Sequence, residues 1–168
     1  MCLQEETKLK AYHIYVASCV KNGGILHYIY KNGELLKKGR AICDRPMYLH
    51  LRKRNMQVLL RQPFSNNQNS GIISYEIGKD GELNPNSNII DTRGIVACHV
   101  CYFHEKTYVA NYLSGSIFCT SGKLDIHKGK GKNPVRQDMP HPHYIAPAPD
   151  GKYLLSTDLG LDAIYLSL

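Results

Sequence analysis

Short apolar runs separated by turn residues recur along the chain at a nearly constant distance. Four of these runs, called marker runs below, align at their last residues, which are 43, 50 and 46 positions apart. The marker runs are Tyr15-Val16-Ala17-Ser18, Val58-Leu59-Leu60-Arg61, Tyr108-Val109-Ala110-Asn111 and Leu154-Leu155-Ser156-Thr157. A period in the mid-forties indicates a structural unit that is repeated along the chain.

Further apolar runs and turns keep the same order in each unit. A second run that opens with a small residue follows each marker run, at Gly24, Gly71, Gly115 and Ala163. The first three units then contain a Gly-x-Leu turn, at Gly33-Glu34-Leu35, Gly81-Glu82-Leu83 and Gly122-Lys123-Leu124. Three units also carry a run ahead of the marker run, from Pro46 to Leu51, from Ala97 to Tyr102 and from His143 to Ala146. Because no stretch shows the spacing of an amphipathic helix, each unit is predicted to be a meander of four short antiparallel strands.

Four strands in about 40–50 residues are typical of a β-propeller blade. We therefore predict an all-β fold, a β-propeller of four-stranded antiparallel blades, in one partial propeller domain over residues 1–168. The blades are expected at about 11–40, 45–90, 95–128 and 141–168. The first unit lacks a strand ahead of its marker run and the last lacks an outer strand, so the missing part of the ring is expected to be C-terminal. Exposed blade edges would make the chain by itself unstable or self-associating.

Composition and charge narrow the class of partner. The 12 Tyr, 14 Gly and 8 Pro favour strands and turns, and the net charge of +7 favours an anionic partner. The basic segments Arg52-Lys53-Arg54 and Lys123 to Lys132 lack interleaved aromatic residues, so no nucleic-acid partner is expected. No apolar run reaches the roughly 18–20 residues of a membrane span, and the first ten residues include charged side chains where a signal peptide would be apolar. We therefore expect a cytoplasmic protein that does not bind membranes.

The cysteines favour neither disulfides nor zinc. The six cysteines are expected to be reduced in the cytoplasm. Cys98 and Cys101 have the spacing of half a zinc site, but no second ligand pair follows at the spacing of a zinc finger or ribbon. We expect both to be small buried side chains.

The most distinctive part of the sequence lies between residues 108 and 162. It contains the segments Ala110 to Ser116, Asn133 to Gln137, Pro140 to His143, Pro149 to Leu155 and Thr157 to Gly160. Together with the opening Tyr15 to Ser18 and Gly24-Ile25, these segments resemble the 6-phosphogluconolactonase-type lactonase family of seven-bladed β-propellers. The resemblance implies about three and a half blades of seven, the N-terminal half of such a chain. It also implies a cytoplasmic hydrolase of carbohydrate metabolism, in the pentose phosphate pathway, that opens the ester of a sugar lactone, with or without a phosphate, and uses no metal or organic cofactor.

The candidate site is formed by Arg136, His141 and His143, which lie within eight residues on a loop and at the start of a predicted inner strand. Lactone hydrolysis needs a base for the attacking water and positive charge or N–H donors for the developing oxyanion. The resemblance implies that His143 is the catalytic base, since the family has a histidine at this strand start, and that Arg136 holds an anionic group. The predicted substrate-binding residues are His141, Gln137, Asn111, Tyr112 and His99. Alternatively, Pro140-His141-Pro142-His143 is a rigid loop whose imidazoles cap backbone carbonyls.

Two further functions stay open at this point. A muconate-type lactonising cyclase would use the same fold with a histidine and an arginine in one anion-accepting pocket. A non-catalytic or truncated propeller would act as a binding platform. In the resembled family an Arg and a Glu of the pocket belong to a later blade, so the chain alone is expected to be inactive. The sequence does not indicate an oligomeric state.

Overall fold

The computed structural model describes residues 10–167, which form fifteen β-strands and no helix. None of these residues therefore belongs to a helix that could cross a membrane. The strands are β1 (Tyr12–Ala17), β2 (Ile25–Lys31), β3 (Glu34–Ala41), β4 (Pro46–Arg52), β5 (Asn55–Leu60), β6 (Gly71–Ile77), β7 (Leu83–Pro85), β8 (Ile90–Asp91), β9 (Ala97–Phe103), β10 (Lys106–Asn111), β11 (Ser116–Cys119), β12 (Leu124–Ile126), β13 (Pro142–Pro147), β14 (Leu154–Asp158) and β15 (Ala163–Ser167).

The strands form four antiparallel sheets that follow one another along the chain. Blade 1 consists of β1 to β3, and blade 2 consists of β4 to β7 with β8 paired to β6. Blade 3 consists of β9 to β12, and blade 4 consists of β13 to β15. Strand β9 packs against β4 on one side and β13 on the other, so the first strands of blades 2, 3 and 4 lie side by side around a common axis. We call β4, β9 and β13 the inner strands. The predicted all-β propeller fold is confirmed.

The marker runs are apolar because their strands are buried on both faces. In β10, Val109 packs with Leu59 of blade 2, whereas the next residue, Ala110, packs with Ile145 and Leu154 of blade 4. Successive side chains of a strand point to opposite faces, so a strand between two neighbouring blades needs apolar residues at every position. The hydrophobic core therefore lies between the blades.

Each inner strand contains a β-bulge at the same place. The pairing register skips Met47 in β4, Cys98 in β9 and His143 in β13, one residue after the strand begins. A bulge leaves one residue outside the ladder and redirects its side chain. His143 is thus the bulge residue of blade 4.

Apolar side chains are exposed on the two outermost blades. Ile164 and Leu166 of β15 are 73% and 60% exposed, and Tyr12 of β1 is 54% exposed. The expected self-association of the chain stays a prediction, and these residues are the surface through which it would act.

Candidate active site

His143 presents its imidazole to solvent at the bulge of β13. The ring of Tyr112 meets it edge-on, with the two ring centroids 5.5 Å apart and an interplanar angle of 87°. The Cys98 thiol of the neighbouring inner strand lies 3.4 Å from the carbonyl oxygen of Pro142 and 3.5 Å from that of His143, and it can donate its one proton to either. The backbone and one ring edge are therefore held, while the imidazole nitrogens make no hydrogen bond among residues 10–167.

His141 differs from His143 although only one proline separates them. Its side chain is buried, and its ring stacks on Tyr112 with centroids 4.5 Å apart. Its Nδ1 lies 3.1 Å from the Tyr112 carbonyl oxygen, and because that oxygen can only accept, Nδ1 carries the proton. His141 therefore anchors Tyr112, whose ring in turn flanks His143.

The Asp158 carboxylate, which lies at the end of β14, organises the loop before His143. It is 2% exposed, and its Oδ2 lies 2.6 Å from Nδ1 of His127. Its Oδ1 accepts hydrogen bonds from the backbone N–H of His141 at 2.7 Å and of Gly160 at 2.9 Å. The ring of Tyr165 stacks on His127 with centroids 4.0 Å apart. This buried network ties both ends of the loop 128–140 to blade 4, and the sequence reasoning did not identify it.

Gln137 is buried within that loop and its amide is fully engaged. Its Nε2 donates to the Leu159 carbonyl at 3.0 Å and to the Asp162 carboxylate at 2.6 Å. Its Oε1 accepts from the backbone N–H of Asn133 at 2.9 Å. The structure thus gives Gln137 a place inside the loop, where it fixes the backbone next to Arg136.

The Arg136 side chain is exposed on the same loop. Its backbone N–H donates to the carbonyl and side-chain oxygens of Asn133, so the backbone is fixed. Its guanidinium makes no hydrogen bond with any other part of residues 10–167. The group can therefore meet an anion without first breaking an ion pair.

Asn111 is not brought to the surface with the other predicted residues. It is 0% exposed, and its Nδ2 donates to the Thr92 carbonyl at 3.0 Å and contacts the Ser116 hydroxyl at 3.3 Å. Its amide packs directly against Gly94, where a Cβ would collide with it. Asn111 holds the segment that leads into β9.

His99 lies between two tyrosines where the inner strands meet. Tyr48, His99 and Tyr144 each follow the bulge residue of their strand, so they are equivalent positions in blades 2, 3 and 4. The Tyr48 hydroxyl lies 3.0 Å from Nε2 of His99, and the Tyr144 ring lies 4.3 Å from the His99 ring between centroids. Burial lowers the pKa of His99 below its usual value. We call these three residues the axial layer; aligning the inner strands at Pro46, Ala97 and Pro142 would have found Tyr48 and Tyr144 from sequence.

The described part of the chain forms no metal centre, and an open depression of about 390 Å³ on the loop of Arg136 is lined by Lys130, Lys132 and Gln137. Across residues 10–167 no three His, Cys, Asp or Glu side chains are grouped to hold a metal ion. A cavity of about 190 Å³ lies between blades 3 and 4, lined by residues such as Tyr108, Cys119 and Leu154, and His143 is not part of its wall. The candidate site is thus the open surface at the start of the inner strands.

The chain matches a known protein family and several solved structures. The family described as lactonase, 7-bladed beta-propeller, matches residues 13–167. The structure resembles that of a candidate 6-phosphogluconolactonase from Bacteroides fragilis, with a TM-score of 0.80, 26% identity, and coverage of 97% of this chain and 49% of that one. It also shares the fold of the periplasmic gluconolactonase of Pseudomonas aeruginosa, with a TM-score of 0.79, 22% identity, and coverage of 94% and 50%.

Uncharacterized proteins of Staphylococcus aureus are 31% identical over 107 residues, which is 56% of this chain and 31% of theirs. The chain spans about half the length of the solved structures that it matches.

Proposed function

The chain belongs to the lactonase family of seven-bladed β-propellers, and on that premise we propose that it supplies the His143 site of an enzyme that hydrolyses a sugar lactone to the open acid. The observation that carries the proposal is the exposed imidazole at the bulge of an inner strand. Bulges often direct a side chain into a site; here Tyr112 flanks the imidazole and the Cys98 thiol contacts the backbone carbonyl of the same residue.

His143 can act as general base and then as general acid. It takes a proton from water while the water oxygen forms a bond to the lactone carbonyl carbon, and the carbonyl oxygen becomes an anion. When the ring C–O bond breaks, the carbonyl is restored and the leaving alkoxide takes the proton back from His143. Histidine suits both steps because its imidazole gains and loses a proton near neutral pH.

Arg136 is proposed to bind the anionic part of the substrate. Its guanidinium is free among the described residues, and its backbone is fixed by Asn133 and Gln137. A phosphate on the sugar would accept two parallel N–H bonds from such a group. The preferred substrate would then be a 6-phosphogluconolactone-like molecule, and a cytoplasmic location in the pentose phosphate pathway stays a prediction.

The five predicted substrate-binding residues fall into two groups, those near His143 and those whose side chains are used within the fold. Tyr112, His141 and His99 adjoin His143 or its strand, so they are proposed to surround the open site at His143. Gln137 and Asn111 use their amides within the fold, and their contact with substrate stays a prediction.

The proposal is tested by lactone hydrolysis with the product of the complete reading frame, alongside the 168-residue chain. Opening of gluconolactone and 6-phosphogluconolactone is followed by acid release, with the spontaneous rate subtracted. We expect His143→Ala to lower kcat on the order of 10²–10⁴-fold. The matched control is His104→Ala, which removes another exposed histidine, in the β9–β10 turn, and should leave kcat unchanged. Undiminished turnover in His143→Ala, or no turnover by the complete product, would contradict the proposal.

A further inference from the structure

The axial layer contains a hydrogen-bond chain whose direction is determined by the backbone. The N–H of Ile145 donates to Nδ1 of His99 at 3.4 Å, and Nε2 of the same ring lies 3.0 Å from the Tyr48 hydroxyl. A neutral imidazole has one protonated and one unprotonated nitrogen. Since Nδ1 accepts from a backbone N–H, the proton of neutral His99 must be on Nε2.

The tautomer of His99 in turn orients the Tyr48 hydroxyl. With the proton on Nε2, His99 donates to the Tyr48 oxygen, so the hydroxyl proton of Tyr48 points away from the ring. Residues 10–167 offer no acceptor for that proton. Burial lowers the pKa of His99 and raises the pKa of Tyr48, with Tyr144 adding to the latter, so both groups are neutral near neutral pH. Tyr48 is therefore a protonated donor with no partner of its own.

Tyr48 is linked through His99 to the strand that carries the proposed base. Tyr144 follows His143 directly in β13, and its ring packs on His99, which binds Tyr48. Tyr48 itself is half-buried, and the layer lies where the inner strands of three blades meet. A hydroxyl that is already polarised by a donated hydrogen bond and is partly shielded from water stabilises negative charge better than one in bulk solvent.

We propose that Tyr48 donates a hydrogen bond to the lactone oxygen that becomes negatively charged during hydrolysis, and that His99 is the positioning residue that directs this donor. The inference rests on the proposed function and identifies a catalytic residue in blade 2. It also assigns the substrate a position between blade 2 and blade 4, with its carbonyl oxygen toward Tyr48 and its attacking water toward His143.

The first test measures the tautomer and does not depend on activity. Long-range ¹H–¹⁵N NMR of the labelled chain should show the His99 ring with Nε2 protonated and Nδ1 unprotonated at neutral pH. Tyr48→Phe should keep this tautomer, since the Ile145 N–H remains, and should change the Nε2–H shift, since its acceptor is lost. A proton on Nδ1 would overturn the orientation of Tyr48.

The second test measures catalysis with the complete product. Tyr48→Phe should lower kcat for gluconolactone on the order of 10²-fold with little change in KM, the effect of removing one oxyanion donor. The matched control is Tyr102→Phe, which removes a hydroxyl from the opposite end of β9 and should leave both constants unchanged. His99→Phe should lower kcat as well, because the Tyr48 hydroxyl loses the contact that orients it. Combining it with Tyr48→Phe should add little, since His99 acts only through that hydroxyl.

The outcomes separate the two proposals. Undiminished kcat in Tyr48→Phe, with His143→Ala still impaired, would overturn the Tyr48 inference and leave the proposed function standing. Absence of lactone hydrolysis by the wild-type product would overturn the proposed function, and the inference with it, even if the NMR tautomer is the expected one.

Discussion

Removing the Asp158 carboxylate should destabilise the fold more than removing any exposed acidic group. The carboxylate is 2% exposed and binds three donors, namely Nδ1 of His127 and the backbone N–H groups of His141 and Gly160. Asp158→Ala leaves all three without an acceptor. Asp158→Asn keeps one oxygen that can accept from the two N–H groups and loses the charge that faces His127.

The expected loss can be worked from these contacts. A hydrogen bond to a charged group contributes about 1.5–3 kcal/mol, and each buried donor left without an acceptor costs about 1–3 kcal/mol. We expect Asp158→Ala to lower the free energy of unfolding by about 3–5 kcal/mol, with some relief from water that enters the loop. Asp158→Asn should cost less, about 1–2 kcal/mol, since the two backbone N–H bonds persist without the charge of their acceptor and the contact with His127 is weakened. For a total stability of about 5–15 kcal/mol, the Ala variant would be severely weakened.

The assay is urea unfolding followed by circular dichroism. With a slope of about 1–3 kcal/mol per molar urea, the midpoint for Asp158→Ala should fall by about 1–5 M. Asp125→Ala removes an exposed carboxylate from β12, close to His127 in sequence, and should shift stability by less than about 0.5 kcal/mol. A midpoint for Asp158→Ala equal to that of Asp125→Ala would refute the reasoning. Equal losses for the Ala and Asn variants would show that the hydrogen bonds from the backbone N–H groups of His141 and Gly160 do not contribute to the effect.

Two further predictions concern Arg136 and the thiols. Arg136→Ala should raise KM for a phosphorylated lactone on the order of 10-fold and leave KM for the plain lactone unchanged. Arg136→Lys should restore part of the lost affinity. Equal effects on both substrates in steady-state kinetics would contradict a phosphate contact. Burial raises the pKa of the Cys101 thiol to about 12, so its nucleophilic thiolate is scarce in the native state, and iodoacetamide at about pH 8 should label exposed Cys19 well before Cys101. Labelling of Cys101 at the rate of Cys19 would contradict this prediction. Because the native state holds the Cys101 thiol protonated, the stability that this thiol contributes should be lost as pH rises above about 8.5.

The fold could be predicted from the sequence because the repeating units carry local signals. The glycines of the three Gly-x-Leu turns, Gly33, Gly81 and Gly122, have φ angles of +84°, +83° and +92°, which only glycine adopts easily. The marker runs are apolar at consecutive positions because their strands pack against a blade on each face. Turn chemistry and strand burial are both determined within a few residues, so both are visible in a single sequence.

The candidate site was only partly predictable because its contacts join distant segments. In Pro140-His141-Pro142-His143 each histidine follows a proline, yet His141 is buried against Tyr112 and His143 is exposed. The bulge at His143, which makes the exposure of the two side chains differ, depends on the pairing of β13 with β14, and no local sequence pattern shows that pairing. The contact between His127 and Asp158 spans 31 positions for the same reason.

Tyr48 was not predicted from the sequence because it lies in a different blade from Arg136, His141 and His143. Its partner His99 is 51 positions away and was identified only by the face expected for its strand. The bulges at Met47 and Cys98 align the two strands so that these side chains meet. A constellation built from neighbouring blades becomes apparent when the units are aligned on the residues that begin their inner strands.

The central claim, that His143 exchanges the proton in lactone hydrolysis, is tested most directly by chemical rescue. In His143→Ala prepared from the complete product, added imidazole should restore part of the lost kcat in a saturable manner, with a pH dependence that follows the neutral form of the added base. Imidazole should not change the rate of His104→Ala. No rescue of an otherwise folded His143→Ala protein, or a rate in that variant equal to the wild type without imidazole, would contradict the claim.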